Sequence, residues 1–211
     1  MNPEFWNERW ATGRIAFHKG EANDALVRHF DALALPAGAR VFVPLCGKTR
    51  DIAWLLSRGC RVAGVELVRT AVEQLFDELG TEPARTVAGG LECFSAEGLD
   101  IFVGDIFDLS GEQLGMVDAV YDRAALVALP ADMRSRYTAH LLEITRGAPQ
   151  LLITYVYDQT LKDGPPFRVD AAEVVKHYGD SHDLLLLDSD VVEDGLDGVE
   201  AVRENWLLQV S

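Results

Sequence analysis

Four places in this sequence hold residues able to bind a nucleoside-bearing ligand. In Pro44-Leu45-Cys46-Gly47-Lys48-Thr49, Gly47 can let the backbone come close to a ligand where a Cβ would stand in the way. Glu66 lies about 20 residues further on, at the end of the next apolar run, where a carboxylate can accept hydrogen bonds from two ribose hydroxyls. Gly104-Asp105 ends a third run, and an acid there suits the amino group of an adenine. Asp122-Arg123 ends a fourth. The Arg123 guanidinium can pair with a carboxylate or steady an anionic substrate; it can equally bridge to Asp122 or Asp118.

Other chemistries lack their residues. The Gly47 turn is not GxGxxG, which disfavours a dinucleotide pyrophosphate site and with it an NAD-linked dehydrogenase. It is no P-loop either, because Phe42 stands where that loop needs its first glycine. Lys48-Thr49 then reads as an ordinary turn. Cys46, Cys60 and Cys93 are too few and too widely spaced for a disulfide framework or a zinc pair. His18, His29, His140, His177 and His182 show no ligand spacing, so no metal is expected.

Lys plus Arg number 19 against 34 Asp plus Glu, a net charge of −15 over 211 residues. A nucleic-acid partner or an anionic membrane would call for a basic face, so neither is expected. No apolar run approaches the ~18 residues of a membrane span. Met1 to Trp6 has neither the basic region nor the apolar stretch of a signal peptide. The expected setting is the cytoplasm and the expected partner a small molecule, met by a monomer.

The residues singled out must be positioned by alternating elements. Strands are expected at Arg40–Val43, Arg61–Val65, Asp100–Val103, Met116–Tyr121, Leu151–Tyr155, His182–Leu187 and Ala201–Val210. Helices between them are marked by Ile52, Leu55 and Leu56 after a Thr49 cap, and by Val72, Leu75, Phe76 and Leu79 before Gly80. Met133, Tyr137, Leu141 and Ile144 mark another. Ser110 to Gln113 and Asp170 to Glu173 read as capping boxes. Gly89-Gly90 suggests a hairpin turn ahead of the third strand. This is an α/β protein, a parallel sheet covered on both faces, with the last two strands forming an antiparallel pair. Ligands of such sheets bind outside the carboxyl ends of the strands, at the switch point. Trp6, Trp10, Phe17 and His18 precede the first strand. They could form a lid over that cleft, but the plainer expectation is a helix on the sheet edge with Trp6 and Trp10 as its buried stripe.

Taken together, several segments resemble the thiopurine S-methyltransferase family. They are Phe5-Trp6-Asn7-Glu8-Arg9-Trp10, Gly13-Arg14-Ile15-Ala16-Phe17-His18, Val43-Pro44-Leu45-Cys46-Gly47-Lys48, Gly64-Val65-Glu66, Asp118 to Leu126, and Tyr157-Asp158 with Gly164-Pro165-Pro166-Phe167. The likeness runs from about residue 3 to 170. It implies a three-layer, Rossmann-like class I methyltransferase with a seven-stranded, mostly parallel sheet whose last strand is antiparallel. One domain over 1–211 is expected, with a lid segment over 1–35 and a core over 40–211.

The resemblance further implies S-adenosylmethionine as cofactor and a thiopurine or another aromatic or heterocyclic thiol as methyl acceptor. Cofactor-binding positions carried over by motif are Trp10, Leu45, Gly47, Glu66 and Arg123, with Asp105 and Ile106 at the adenine. Trp6 and Phe17 belong to the lid over the substrate, and Arg123 is the candidate catalytic residue. Two departures bear on the acceptor: Ile106-Phe107 after Asp105, and the short acidic segment Asp188–Gly198. Related acceptors are other soft nucleophiles, namely selenium or tellurium species, thiocyanate or halide. A protein that binds the cofactor without transferring its methyl group is the rival from another class.

Overall fold

The computed structural model describes residues 3–15 and 20–210. In chain order the elements are α1 (Pro3–Ala11), α2 (Asp24–His29), β1 (Arg40–Pro44), α3 (Arg50–Ser57), β2 (Arg61–Glu66), α4 (Arg69–Leu79), β3 (Ala84–Ala88), β4 (Leu91–Ala96) and β5 (Leu99–Val103). Then come α5 (Gly111–Leu114), β6 (Ala119–Arg123), α6 (Ala131–Thr145), β7 (Gln150–Tyr157), α7 (Ala171–Tyr178), β8 (His182–Val191) and β9 (Ala201–Val210).

One sheet runs in the order β3-β4-β5-β2-β1-β6-β7-β9-β8. It has nine strands where seven were expected. The Gly89-Gly90 turn joins β3 and β4 into a hairpin, and β4 pairs antiparallel with β5, extending the sheet at that edge. The other seven strands match the expectation: β9 runs antiparallel between β7 and β8 and pairs with both. Two boundaries moved by three residues or more. β6 starts at Ala119 rather than Met116; just before it the Asp118 N–H donates to the Arg40 carbonyl at 2.8 Å and the Asp118 carboxylate accepts the Arg40 N–H at 2.7 Å. β8 continues past Leu187 to Val191 through an irregularity between Leu186 and Asp188.

Alternation along the buried strands feeds two cores. Val41, Val43, Ile101, Tyr121 and Ile153 pack with Leu26, Ile52, Leu55, Val72 and Phe76 from α2, α3 and α4. Phe42, Ala63, Phe102, Val120 and Leu152 pack with Leu114, Tyr137, Leu141, Val174 and Tyr178 from α5, α6 and α7. The caps agree with the sequence at Thr49, Gly80 and the reciprocal Ser110–Gln113 box. Asp170 caps α7 in one direction, accepting from Glu173 N, while the Glu173 carboxylate turns to Arg134 at 2.7 Å and His177 at 3.3 Å. The chain's two ends meet through ion pairs: Arg203 bridges Asp24 of α2 at 2.6 Å and Asp190 of β8 at 2.7 Å.

The parallel strands end together at Pro44, Glu66, Val103, Arg123 and Tyr157, and the strand order reverses between β1 and β6. The turn after β1 folds back onto β2, with Cys46 N–H donating to the Val65 carbonyl at 3.1 Å. A Cβ at Gly64 would meet Ile101 Cδ1 at 2.8 Å, Cys46 Sγ at 3.0 Å and the Val43 carbonyl at 3.3 Å. Gly64→Ala is therefore expected to destabilise the protein by about 1–3 kcal/mol through overpacking, read as a lower urea midpoint at unchanged slope. No helix among the described residues is long and apolar enough to cross a membrane.

Candidate active site

A cavity of about 570 Å³ opens at the switch point, a size typical of small-molecule sites. Its floor is the turn after β1. Leu45 there has φ of 47° and Gly47 φ of 53°, and a non-glycine residue in this region signals a backbone held in place by its surroundings. Lys48 leaves the turn to pair with Glu78 of α4 at 2.8 Å, and Thr49 caps α3.

Glu66 ends β2 inside the cavity wall and is itself buried. Its Oε2 accepts Gly47 N–H at 2.8 Å and its Oε1 accepts Val68 N–H at 2.8 Å. Burial raises its pKa, and these backbone donors, with that of Leu67, work the other way. With three backbone donors on about four acceptor sites, the carboxylate keeps room for a further hydroxyl donor.

Helix α1 lies over this end of the sheet rather than along its edge. Trp10, 7% exposed, packs with Val68 and Ala71, with Trp6, Ile15 and Leu67 alongside. A Cβ on Gly47 would meet the Trp10 ring at 3.1 Å, so glycine is needed there for both its conformation and its close indole neighbour. Trp6 and Trp10 both line the cavity. Phe17 and His18 lie outside the described residues.

On the other side, β6 presents Tyr121 and Arg123 on one face, two residues apart. The Arg123 Nε is buried without a hydrogen-bond partner among the described residues. The Tyr121 hydroxyl donates to Asp51 Oδ2 at 3.0 Å, and Asp51 Oδ1 accepts Asn23 N–H at 2.6 Å. Burial first, and then the Asp51 carboxylate, push the Tyr121 hydroxyl well above its ordinary pKa. Cys46 also borders the cavity, but burial and the neighbouring Glu66 keep its thiol protonated far above the ordinary range, so it is no nucleophile.

The structure thus gathers Trp6, Trp10, Leu45, Gly47, Glu66 and Arg123 around one cavity. Asp105 and Ile106 are not among the residues lining it. Gly104 N–H reaches the Glu66 carbonyl at 2.9 Å, so they follow close beside that strand end. The Asp105 carboxylate caps a short 3-10 turn by accepting from Phe107 N–H at 3.1 Å, and Ile106 is buried in the core. Sequence reasoning missed Asp51, Tyr121, Tyr155 and the far wall. That wall joins Lys162 to Asp197 by an ion pair, with Val192, Gly195 and Leu196 from the β8–β9 connection. Strand alternation could have found Tyr121 from Arg123. The acidic segment Asp188–Gly198 was marked as bearing on the acceptor, but nothing local in it places residues 192–197 on the cavity wall.

A mostly parallel sheet with a glycine turn and an acid at its switch point, and with β9 antiparallel between β7 and β8, is the architecture of a class I S-adenosylmethionine-dependent methyltransferase. The family profile described as "Thiopurine S-methyltransferase (TPMT)" matches residues 1–209. A thiopurine S-methyltransferase of Xanthobacter autotrophicus is 57% identical over 211 residues, covering 99% of each chain. One of Gluconobacter oxydans is 48% identical over 97% of this chain and 93% of its own. The chain belongs to the thiopurine S-methyltransferase family, and its cofactor is S-adenosylmethionine. Among solved structures, the Burkholderia thailandensis 1,6-didemethyltoxoflavin-N1-methyltransferase, with bound 1,6-didemethyltoxoflavin and S-adenosylhomocysteine, superposes with a TM-score of 0.66 at 18% identity. That match covers 98% of this chain and 87% of the other, and it speaks for the fold alone.

Proposed function

We propose that this enzyme methylates the sulfur of thiopurines or other aromatic and heterocyclic thiols, with Arg123 favouring the acceptor's thiolate. The observation that carries this is Arg123 on the wall of the cavity that also holds Glu66, its Nε buried with no hydrogen-bond partner among the described residues. The fixed charge of that guanidinium would face an anion in the cavity.

Glu66 would take a ribose hydroxyl of the cofactor on its remaining acceptor site. Leu45, Gly47 and Trp10 would hold its length, and the Gly104-Asp105 turn beside the Glu66 strand end would lie toward its adenine, with Ile106 packed in the core behind it. The cofactor supplies a methyl group on an electrophilic sulfonium. The protein's own part is to orient the acceptor and exclude water. Apolar side chains of Val43, Leu45, Val127 and Ala128 would do the latter, with Trp6 over them. A cation beside a thiol favours its ionised, nucleophilic form.

The net charge of −15 speaks for a small-molecule acceptor rather than a nucleic acid or an anionic lipid surface. One continuous sheet from β1 to β9 supports a single domain over 1–211, which we read as a monomer. We place it in the cytoplasm, where its three cysteines, all free, would stay reduced.

Calorimetry with S-adenosylmethionine and S-adenosylhomocysteine, followed by methyl transfer to 6-mercaptopurine, tests the reading. Iodide and selenite at equal concentration serve as rival acceptors. Binding with faster transfer to the thiol is expected. Binding with transfer only to iodide or selenite moves the acceptor to another soft nucleophile, and binding with no transfer leaves a cofactor-binding protein.

A further inference from the structure

Asp122 sits between Tyr121 and Arg123 but points to the opposite face of the sheet and is 0% exposed. Its Oδ1 accepts Leu126 N–H at 3.0 Å and its Oδ2 accepts the Tyr137 hydroxyl at 2.7 Å. The Ala125 N–H adds a further donor. Leu126 and Ala125 belong to the turn that leaves β6, which brings Arg123, Ala124, Val127 and Ala128 to the cavity. Ala124 holds φ of 63° there, outside the range an alanine prefers. The same turn carries the opposite wall, because Phe167 N–H donates to the Val127 carbonyl at 2.6 Å and Pro165 and Pro166 line the cavity just before it. One buried carboxylate thus fastens the backbone that holds both Arg123 and the proline wall.

We propose that Asp122 is a positioning residue for the Arg123 side of the active site, holding the 124–128 turn while ionised and releasing it when protonated, so that methyl transfer carries an acid limb of its own. The proposal rests on the reading of Arg123 given above.

Burial raises the Asp122 carboxyl to about 6, and the Leu126, Tyr137 and Ala125 donors pull the other way. From α6 the group facing it is Tyr137, and from α7 it is Tyr178, whose buried hydroxyl has no hydrogen-bond partner among the described residues. Its neighbour across the sheet is Leu152 of β7, and on its own strand Arg123 lies on the other face. None of these supplies a cation on its side. Once protonated, the carboxyl accepts well at one oxygen only, and its new O–H faces donors.

The test is the pH profile of kcat for the wild type, Asp122→Asn and Tyr137→Phe, from about pH 5 to about pH 8, the range that brackets such a group. A heterocyclic thiol acidic enough to be ionised throughout that range keeps the acceptor's own titration out of each profile. Asp122→Asn mimics the protonated state: its ratio to wild type should be about tenfold or more below one at the alkaline end and climb toward one at the acid end. Tyr137→Phe removes a donor that favours the charged form, so its acid limb should move to higher pH, and this variant decides the question should Asp122→Asn fail to fold. A ratio independent of pH for Asp122→Asn, or an unmoved limb in Tyr137→Phe, overturns the proposal. An Arg123→Ala background separates this from the earlier reading. If Arg123→Ala leaves turnover intact, the Arg123 reading fails. If it lowers turnover but the Asp122 limb persists in it unchanged, only the coupling between the two residues fails.

Discussion

Glu66→Ala is expected to weaken S-adenosylhomocysteine binding by about 1–3 kcal/mol, or roughly 5- to 150-fold in Kd, through the loss of charge-assisted hydrogen bonds to the ribose. The same carboxylate also secures the turn by accepting Gly47 and Val68 N–H, so the loss could arise without any contact to the ribose. A cofactor product analogue lacking one ribose hydroxyl separates the two. If Glu66 binds that hydroxyl, the analogue loses affinity with the wild type and little more with the variant, a non-additive pair. Fully additive losses would confine Glu66 to bracing the turn. Glu66→Gln is no neutral control: one side of its amide would be a donor facing a backbone donor. Calorimetry of the four combinations reads the result directly, and an unchanged Kd in Glu66→Ala would remove Glu66 from the site.

Arg123→Ala should lower kcat with a thiol acceptor by about 100-fold while changing the Kd of the cofactor product far less, as expected for a charge that acts on the reacting group. Because the guanidinium favours the thiolate, the deficit should be largest for acceptors whose thiols ionise least readily. A series of heterocyclic thiols of differing acidity, assayed at one pH, reads that trend. Arg123→Lys keeps the charge but loses the planar fork, and should recover only part of the rate. If the variant instead loses cofactor affinity with kcat preserved at saturation, Arg123 holds the cofactor and has no part in ionising the acceptor.

Much of this arrangement could be read locally. The Thr49 and Ser110 caps and the Gly80 stop need only the residues within a turn of them, because capping satisfies backbone groups a few positions away. Gly47 and Glu66 were legible because a strand, a turn, a helix and a second strand fix their separation. The strand count failed for the opposite reason. The segment 84–96 could have been a loose hairpin, and only pairing of β4 with β5 makes it part of the sheet. Asp105 shows the same limit: its position at a strand end was correct, but its carboxylate went to the nearest backbone donor, Phe107 N–H. The stripe of Trp6 and Trp10 was read as a helix face correctly, while its location over the Gly47 turn depended on packing.

By itself the sequence determined the alternating α/β order, the turn and acid at the switch point, and membership of a family whose motifs sit at the strand ends. Those properties follow from short-range periodicity and fixed spacing. Only the tertiary structure decided which side chains share the cavity. It brought Asp51 to Tyr121, residues 192–197 to Lys162, and Asp122 beneath the turn that carries Arg123. The first two of these contacts join residues far apart in the chain. In all three, partner choice is set by how buried polar groups find donors and acceptors once the layers have packed.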